Sequence, residues 1–213
     1  MRALTRLIPG IALALVILVP VPTWAAGGRF EVAAFGGYRI GGDFEVEDEQ
    51  GVELRNADLE DDYSWGIDLA YYRDANAFYE LLFSRQTTQF DDNDPALGGV
   101  DLTTDYFHFG GTLLFDSEPW LRPFLSATIG LTRFDADGFG SEYKFSGSLG
   151  TGLRLPVGDR LSFMVGVRGY GTLIDSDTEL FCVSGDGQGT CLVRTSGDIF
   201  FQGEATVGVA LRF

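Results

Sequence analysis

Histidine occurs once in the 213 residues, cysteine twice and methionine twice. A single imidazole, His108, is a poor start for a histidine-rich metal centre. Basic residues are also scarce: 15 Lys and Arg stand against 31 Asp and Glu, a formal net charge of −16. Nucleic-acid binders need a basic face to meet phosphates, so that class is excluded. Beyond residue 25 no apolar run approaches the ~20 residues of a membrane-spanning helix, and no 3.6-residue apolar period appears. Helical membrane proteins and helical bundles are thereby excluded.

The first 25 residues read as an export signal. Arg2 and Arg6 form a positive start, Ile11 to Val21 is apolar, and Pro20 and Pro22 end any helix. Thr23-Trp24-Ala25 then offers small residues at the cleavage point and two before it, which places the cut after Ala25. The remaining 26–213 form one domain with 13 basic and 31 acidic residues, a formal net charge of −18. Export implies an oxidising compartment, so Cys182 and Cys191 are expected to form a disulfide. It would close a short Gly/Ser/Asp-rich loop and contribute roughly 2–3 kcal/mol in the chain-entropy model.

What is present is alternation. Phe30, Val32, Ala34, Gly36, Tyr38 and Ile40 occupy every second position, with Glu31 and Arg39 between them. Successive side chains of a strand point to opposite faces. Seven further segments repeat the pattern, centred near Trp65, Leu81, Phe109, Ile129, Gly147, Val165 and Val207. The third is the least regular, because its mixed face carries Phe78 and Leu82. Most segments meet the ~9–11 residues of a tilted transmembrane strand. Their connections alternate long and short; Arg73–Asn76, Asp116–Trp120 and Pro156–Asp159 are the short ones. Short periplasmic turns facing longer external loops are the pattern of outer-membrane barrels, with both termini in the periplasm. The expected fold is therefore all-β: an eight-stranded antiparallel up-and-down transmembrane barrel. Aromatics cluster at both ends, with Tyr71, Tyr79, Phe115, Trp120 and Phe213 near the short turns. Phe44, Tyr63, Trp65, Phe134 and Tyr143 lie near the long loops, as two interfacial belts would require.

The stretches WLRPFLSATIGLTRF, FSGSLGTGLRLPVGDRLSFMVGVRGYG and FFQGEATVGVALRF resemble the eight-stranded outer-membrane barrel family around OmpA, OmpX and the opacity-type proteins. The resemblance covers the whole mature chain and implies location and export route, not activity. Phe213, preceded by Leu211, Val209 and Val207, looks like the family's C-terminal signal for the outer-membrane assembly machinery. No peptidoglycan-binding domain follows the barrel in this sequence. Outer-membrane lipids and lipopolysaccharide are the implied surroundings.

Three functional readings follow, none calling for a cofactor or metal. The first is a non-enzymatic structural or surface-interaction barrel. The second is a small pore for ions or small apolar molecules. The third, a lipid A-modifying enzyme, lacks support: His108 points inward near mid-strand and has Gly110, not Ser, two residues on. Alternation also puts Asp68, Glu80, Arg154, Arg168, Glu204 and Arg212 on the inner face. Buried charges demand partners, so the three carboxylates are expected to neutralise the three guanidiniums. The loop from Asp43 to Asp62 carries ten acids and one base but lacks the spacing of a calcium loop. It reads as a solvated external loop.

Overall fold

A computed structural model describes residues 28–47, 53–90, 100–116, 118–136, 140–174, 179–185, 188–194 and 199–213. The proposed signal sequence and the cut after Ala25 lie outside them. Eight strands close into an antiparallel barrel: β1 (Phe30–Gly41), β4 (Asp62–Tyr72), β5 (Ala77–Gln89), β6 (Asp101–Leu114), β7 (Arg122–Ala136), β8 (Gly140–Val157), β9 (Leu161–Leu173) and β12 (Ile199–Arg212). Each pairs with its neighbour in chain order, and β12 closes on β1. The chain ends knit the seam, because Phe30 and Phe213 exchange backbone hydrogen bonds at 3.2 and 2.9 Å.

Closure pairs each of the eight strands on both edges, the condition for strands to cross lipid. Side chains alternate as the sequence does. In β4, Tyr63, Trp65, Ile67, Leu69 and Tyr71 point outward, whereas Ser64, Gly66, Asp68, Ala70 and Tyr72 are inside. The irregular third segment is the full-length β5, with Phe78 and Leu82 buried in the lumen. Its apolar inner face is therefore core packing: Phe78 meets Ala70, Tyr72 and Leu114, and Leu82 meets Tyr106 and Tyr170.

The long connections are partly structured. β2 (Asp43–Glu47) pairs with β3 (Glu53–Asp58), and β10 (Glu179–Gly185) pairs with β11 (Gln188–Arg194). Here one expectation is corrected: no disulfide bond joins Cys182 and Cys191. The two residues are direct partners in the β10–β11 ladder, so backbone pairing closes this hairpin. An oxidising compartment and a short spacing create the opportunity for a bond. Formation also needs Cβ atoms about 3.5–4.5 Å apart on converging vectors, which spacing cannot supply.

The belt reading is corrected at Phe134. It faces inward, fully buried, edge-on to Phe200 with ring centroids 5.1 Å apart. It shares parity with Thr128 and Thr132, so alternation already assigns it to the lumen. Tyr63, Trp65 and Tyr143 do face outward at the long-loop end. Tyr71, Tyr79, Phe115 and Trp120 face outward at the short-turn end. Among the short turns, Arg73–Asn76 is held by Asp74. Its carboxylate accepts from the Asn76 N–H and from Arg73, and these bonds hold it below the usual carboxylate range.

Candidate functional site: the barrel lumen

The interior is stacked in four levels. At the short-turn end Arg154 pairs with Glu31 at 2.7 Å. Tyr72 donates its hydroxyl to Glu31 (3.0 Å) and accepts from Arg154 (3.2 Å). Arg212 lies 3.8 Å over the Tyr72 ring and donates to the Gly28 carbonyl. Arg212 is thus satisfied by a π-face and a backbone oxygen, a pairing that residue identity alone does not suggest.

One level further in, Arg168 reaches across the lumen to Glu80 at 3.3 Å and donates to Ser148 at 3.0 Å. Thr112 donates to the other Glu80 oxygen at 2.7 Å. Asp68 sits beside Glu80, Arg168 and Arg154, with its Oδ1 buried and without a hydrogen-bond partner. A cavity of about 50 Å3 lies next to it, between these groups and Phe35, Phe124 and Met164. His108 occupies the same stretch. Its ring nitrogens meet Thr128 Oγ1 at 2.9 Å and Ser146 Oγ at 2.8 Å. A serine does approach the imidazole, but the other nitrogen is held by a threonine rather than by an orienting acid. The pieces of a nucleophile, base and acid relay are not assembled.

The third level is the most tightly filled. Arg39 pairs with Glu204 at 2.9 Å, both side chains fully buried. Glu204 also accepts from Tyr170 (2.7 Å) and Ser84 (3.1 Å), and Ser84 accepts from Arg39. The guanidinium lies 4.9 and 5.1 Å from the ring centroids of Tyr106 and Tyr170. Tyr106 continues to Gln202 at 2.9 Å, and Gln202 to Gln86 at 3.2 Å. The fourth level, at the long-loop end, is apolar: Leu59, Phe90, Leu102, Phe134, Ile174 and Phe200 are all buried.

Of the six inner charges expected from the sequence, Arg168 and Glu80 are brought together. Glu204 and Arg154 take partners outside that set, Arg39 and Glu31. Among the described residues Asp68 forms no ion pair and lies against Glu80, and Arg212 has no carboxylate on it. Glu31 and Arg39 were visible as alternate inner positions of the first segment; what the sequence lacks is the register that matches them. Glu31, Asp68, Glu80 and Glu204 share the lumen with Arg39, Arg154, Arg168 and Arg212. Among the described residues no group of three or more His, Cys, Asp or Glu is placed to hold a metal ion.

A family model for the outer membrane protein beta-barrel domain matches residues 11–213. The chain belongs to that family. This outer-membrane barrel is similar to neisserial surface protein A, at 16% identity over 88% of this chain and 98% of that one, with a TM-score of 0.57. It is similar to AlkL in lipid bilayers, at 18% identity over 91% and 95% of the two chains, with a TM-score of 0.56. OprG of Pseudomonas aeruginosa is similar at 9% identity over 87% and 96%, with a TM-score of 0.54. At these identities the likeness is one of fold. No match is found among curated proteins.

Proposed function

We propose that this outer-membrane barrel is a closed, non-conducting scaffold that carries acidic loops at the cell surface. The observation that carries the reading is the third lumen level. Arg39, Tyr106, Tyr170 and Gln202 are fully buried and joined through Glu204 and Gln86 across the bore. Eight strands enclose a bore that side chains can fill, and the apolar level above seals it again. In this reading residues 1–25 are a cleaved signal, the termini lie in the periplasm, and Phe213 is read by the assembly machinery. The acidic loops, Asp43 to Asp62 above all, then face outward among lipopolysaccharide. Current across a planar bilayer holding the refolded mature protein tests it. A closed scaffold gives no sustained openings at moderate voltage. Steady ohmic conductance above the empty bilayer would replace the scaffold with the pore reading.

A further inference from the structure

The lumen accounts for the inward charges, but a second charged cluster lies on the outside of the wall. Arg85 on β5, Asp105 on β6 and Arg133 on β7 are direct cross-strand partners, and all three lie on the outward side of their strands. Asp105 accepts both the Arg85 Nε–H (2.6 Å) and Nη2–H (2.7 Å). It also lies 3.5 Å from Arg133 Nη1, and its side chain is completely covered although it faces outward. Arg133 reaches on to Asp135, while its Nε is buried without a hydrogen-bond partner.

The neighbouring rows fix the depth of this cluster. Trp65 and Tyr143 flank it in the same cross-strand row. Two residues toward the barrel middle the outward row is Ile67, Phe83, Phe107, Leu131 and Phe145. Two residues toward the long loops it is Thr87, Thr103, Asp135 and Ser141. The outer wall therefore changes from apolar to polar at Arg85–Asp105–Arg133. An outward Arg is costly at the bilayer midplane and nearly free of cost at the interface. Trp and Tyr also collect at headgroup depth.

We infer that Arg85 and Arg133 form a clamp for the phosphate of an anionic lipid headgroup in the leaflet at the long-loop end. Asp105 binds Arg85 through one edge of its guanidinium, which leaves Nη1 available. It also offsets the repulsion between the two cations. With Asp135 on Arg133 the cluster is neutral overall, so its attraction for an anion is local, at the part-exposed Arg85 guanidinium, and lies at the depth of headgroup phosphates. The planar guanidinium fork matches phosphate oxygens in pairs. Asp105 is a positioning residue: it aims both arginines and touches no lipid.

The inference rests on the orientation proposed above only for which leaflet supplies the lipid. Nanodiscs of phosphatidylcholine doped with diphosphorylated lipid A, or with the same lipid stripped of its phosphates, test the clamp directly. Native mass spectrometry would count the glycolipid retained by the mature protein. We expect about a tenfold preference for the phosphorylated form, or roughly 1.4 kcal/mol. That preference should disappear in R85Q/R133Q and persist in R122Q, whose arginine lies at the opposite end of the barrel. The single variant R85Q, expected to lose part of the preference, serves if the double variant does not fold. A wild-type protein without preference, or an R85Q/R133Q protein that keeps it, overturns the clamp. Millimolar inorganic phosphate that abolishes the preference would identify a free-anion site and overturn the lipid assignment. Nanodisc binding is blind to orientation; labelling a tag placed in 91–99 on intact cells tests orientation separately.

Discussion

Tyr106 and Tyr170 stack ring on ring across the lumen, with centroids 4.0 Å apart and planes 18° from parallel. One comes from β6 and the other from β9, so the stack crosses the bore. It presents aromatic faces to Arg39 and a hydroxyl to Glu204. Replacing Tyr170 with Phe keeps the stack and removes only the hydrogen bond to Glu204. A buried carboxylate that loses a donor is destabilised by about 1–3 kcal/mol. Denaturant unfolding in lipid vesicles should show that loss with an unchanged slope; a wild-type midpoint would mean that the hydroxyl contributes nothing.

The Arg39–Glu204 pair predicts a strongly non-additive cycle. Arg39→Met leaves Glu204 buried without its cation, costing about 3–5 kcal/mol. Pairing it with Glu204→Gln removes both charges and should restore much of the loss. If the double variant were as damaged as the sum of the singles, the two groups would not be acting on each other.

Arg168 supplies a sharper test, because it has two candidate acids. Glu204 is its direct partner in the β9–β12 ladder, yet its ion pair runs across the lumen to Glu80. Arg168→Ala should therefore couple to Glu80→Ala by about 1 kcal/mol or more, and more weakly to Glu204→Ala. Stronger coupling to Glu204 would reverse the assignment.

Gly66 faces the lumen where a Cβ would come within 2.4 Å of the Phe83 carbonyl and 2.2 Å of the Phe35 ring. The ring can swing away, whereas the carbonyl belongs to the β4–β5 ladder. Gly66→Ala should cost about 1–3 kcal/mol by overpacking. Gel migration of unboiled samples, read against temperature, would show an earlier transition to the unfolded band.

Cleavage after Ala25 predicts a mature protein of residues 26–213. Intact mass of the protein purified from outer membranes checks this to the residue. Retention of residues 1–25 would turn the segment into an anchor.

Most of the wall was legible in the sequence, because a membrane barrel writes its two faces into alternate residues. Leu69 and Asp68 could be assigned to opposite faces without coordinates. The exception, β5, shows why: alternation separates lipid from lumen only where the lumen is polar, and Phe78 and Leu82 fill it with apolar groups. The ion pairs were less legible. Alternation assigns Glu204 to the inside but not to Arg39 or Arg168, which flank it on either side in register. The choice depends on strand stagger and on how far each guanidinium reaches across the bore. The outer triad escaped because Arg85, Asp105 and Arg133 lie on three strands and meet only when those strands align.

The lumen bridges join strands far apart in the chain: Arg39 on β1 to Glu204 on β12, Arg154 on β8 to Glu31 on β1, and Arg168 on β9 to Glu80 on β5. An incomplete barrel that contains β1 but not β12 would hold Arg39 against lipid or water with no counter-charge. Neighbouring hairpins cannot neutralise themselves one at a time, so a partly inserted chain gains little from stopping midway. These ion pairs are thus complete only once the first and last strands have met.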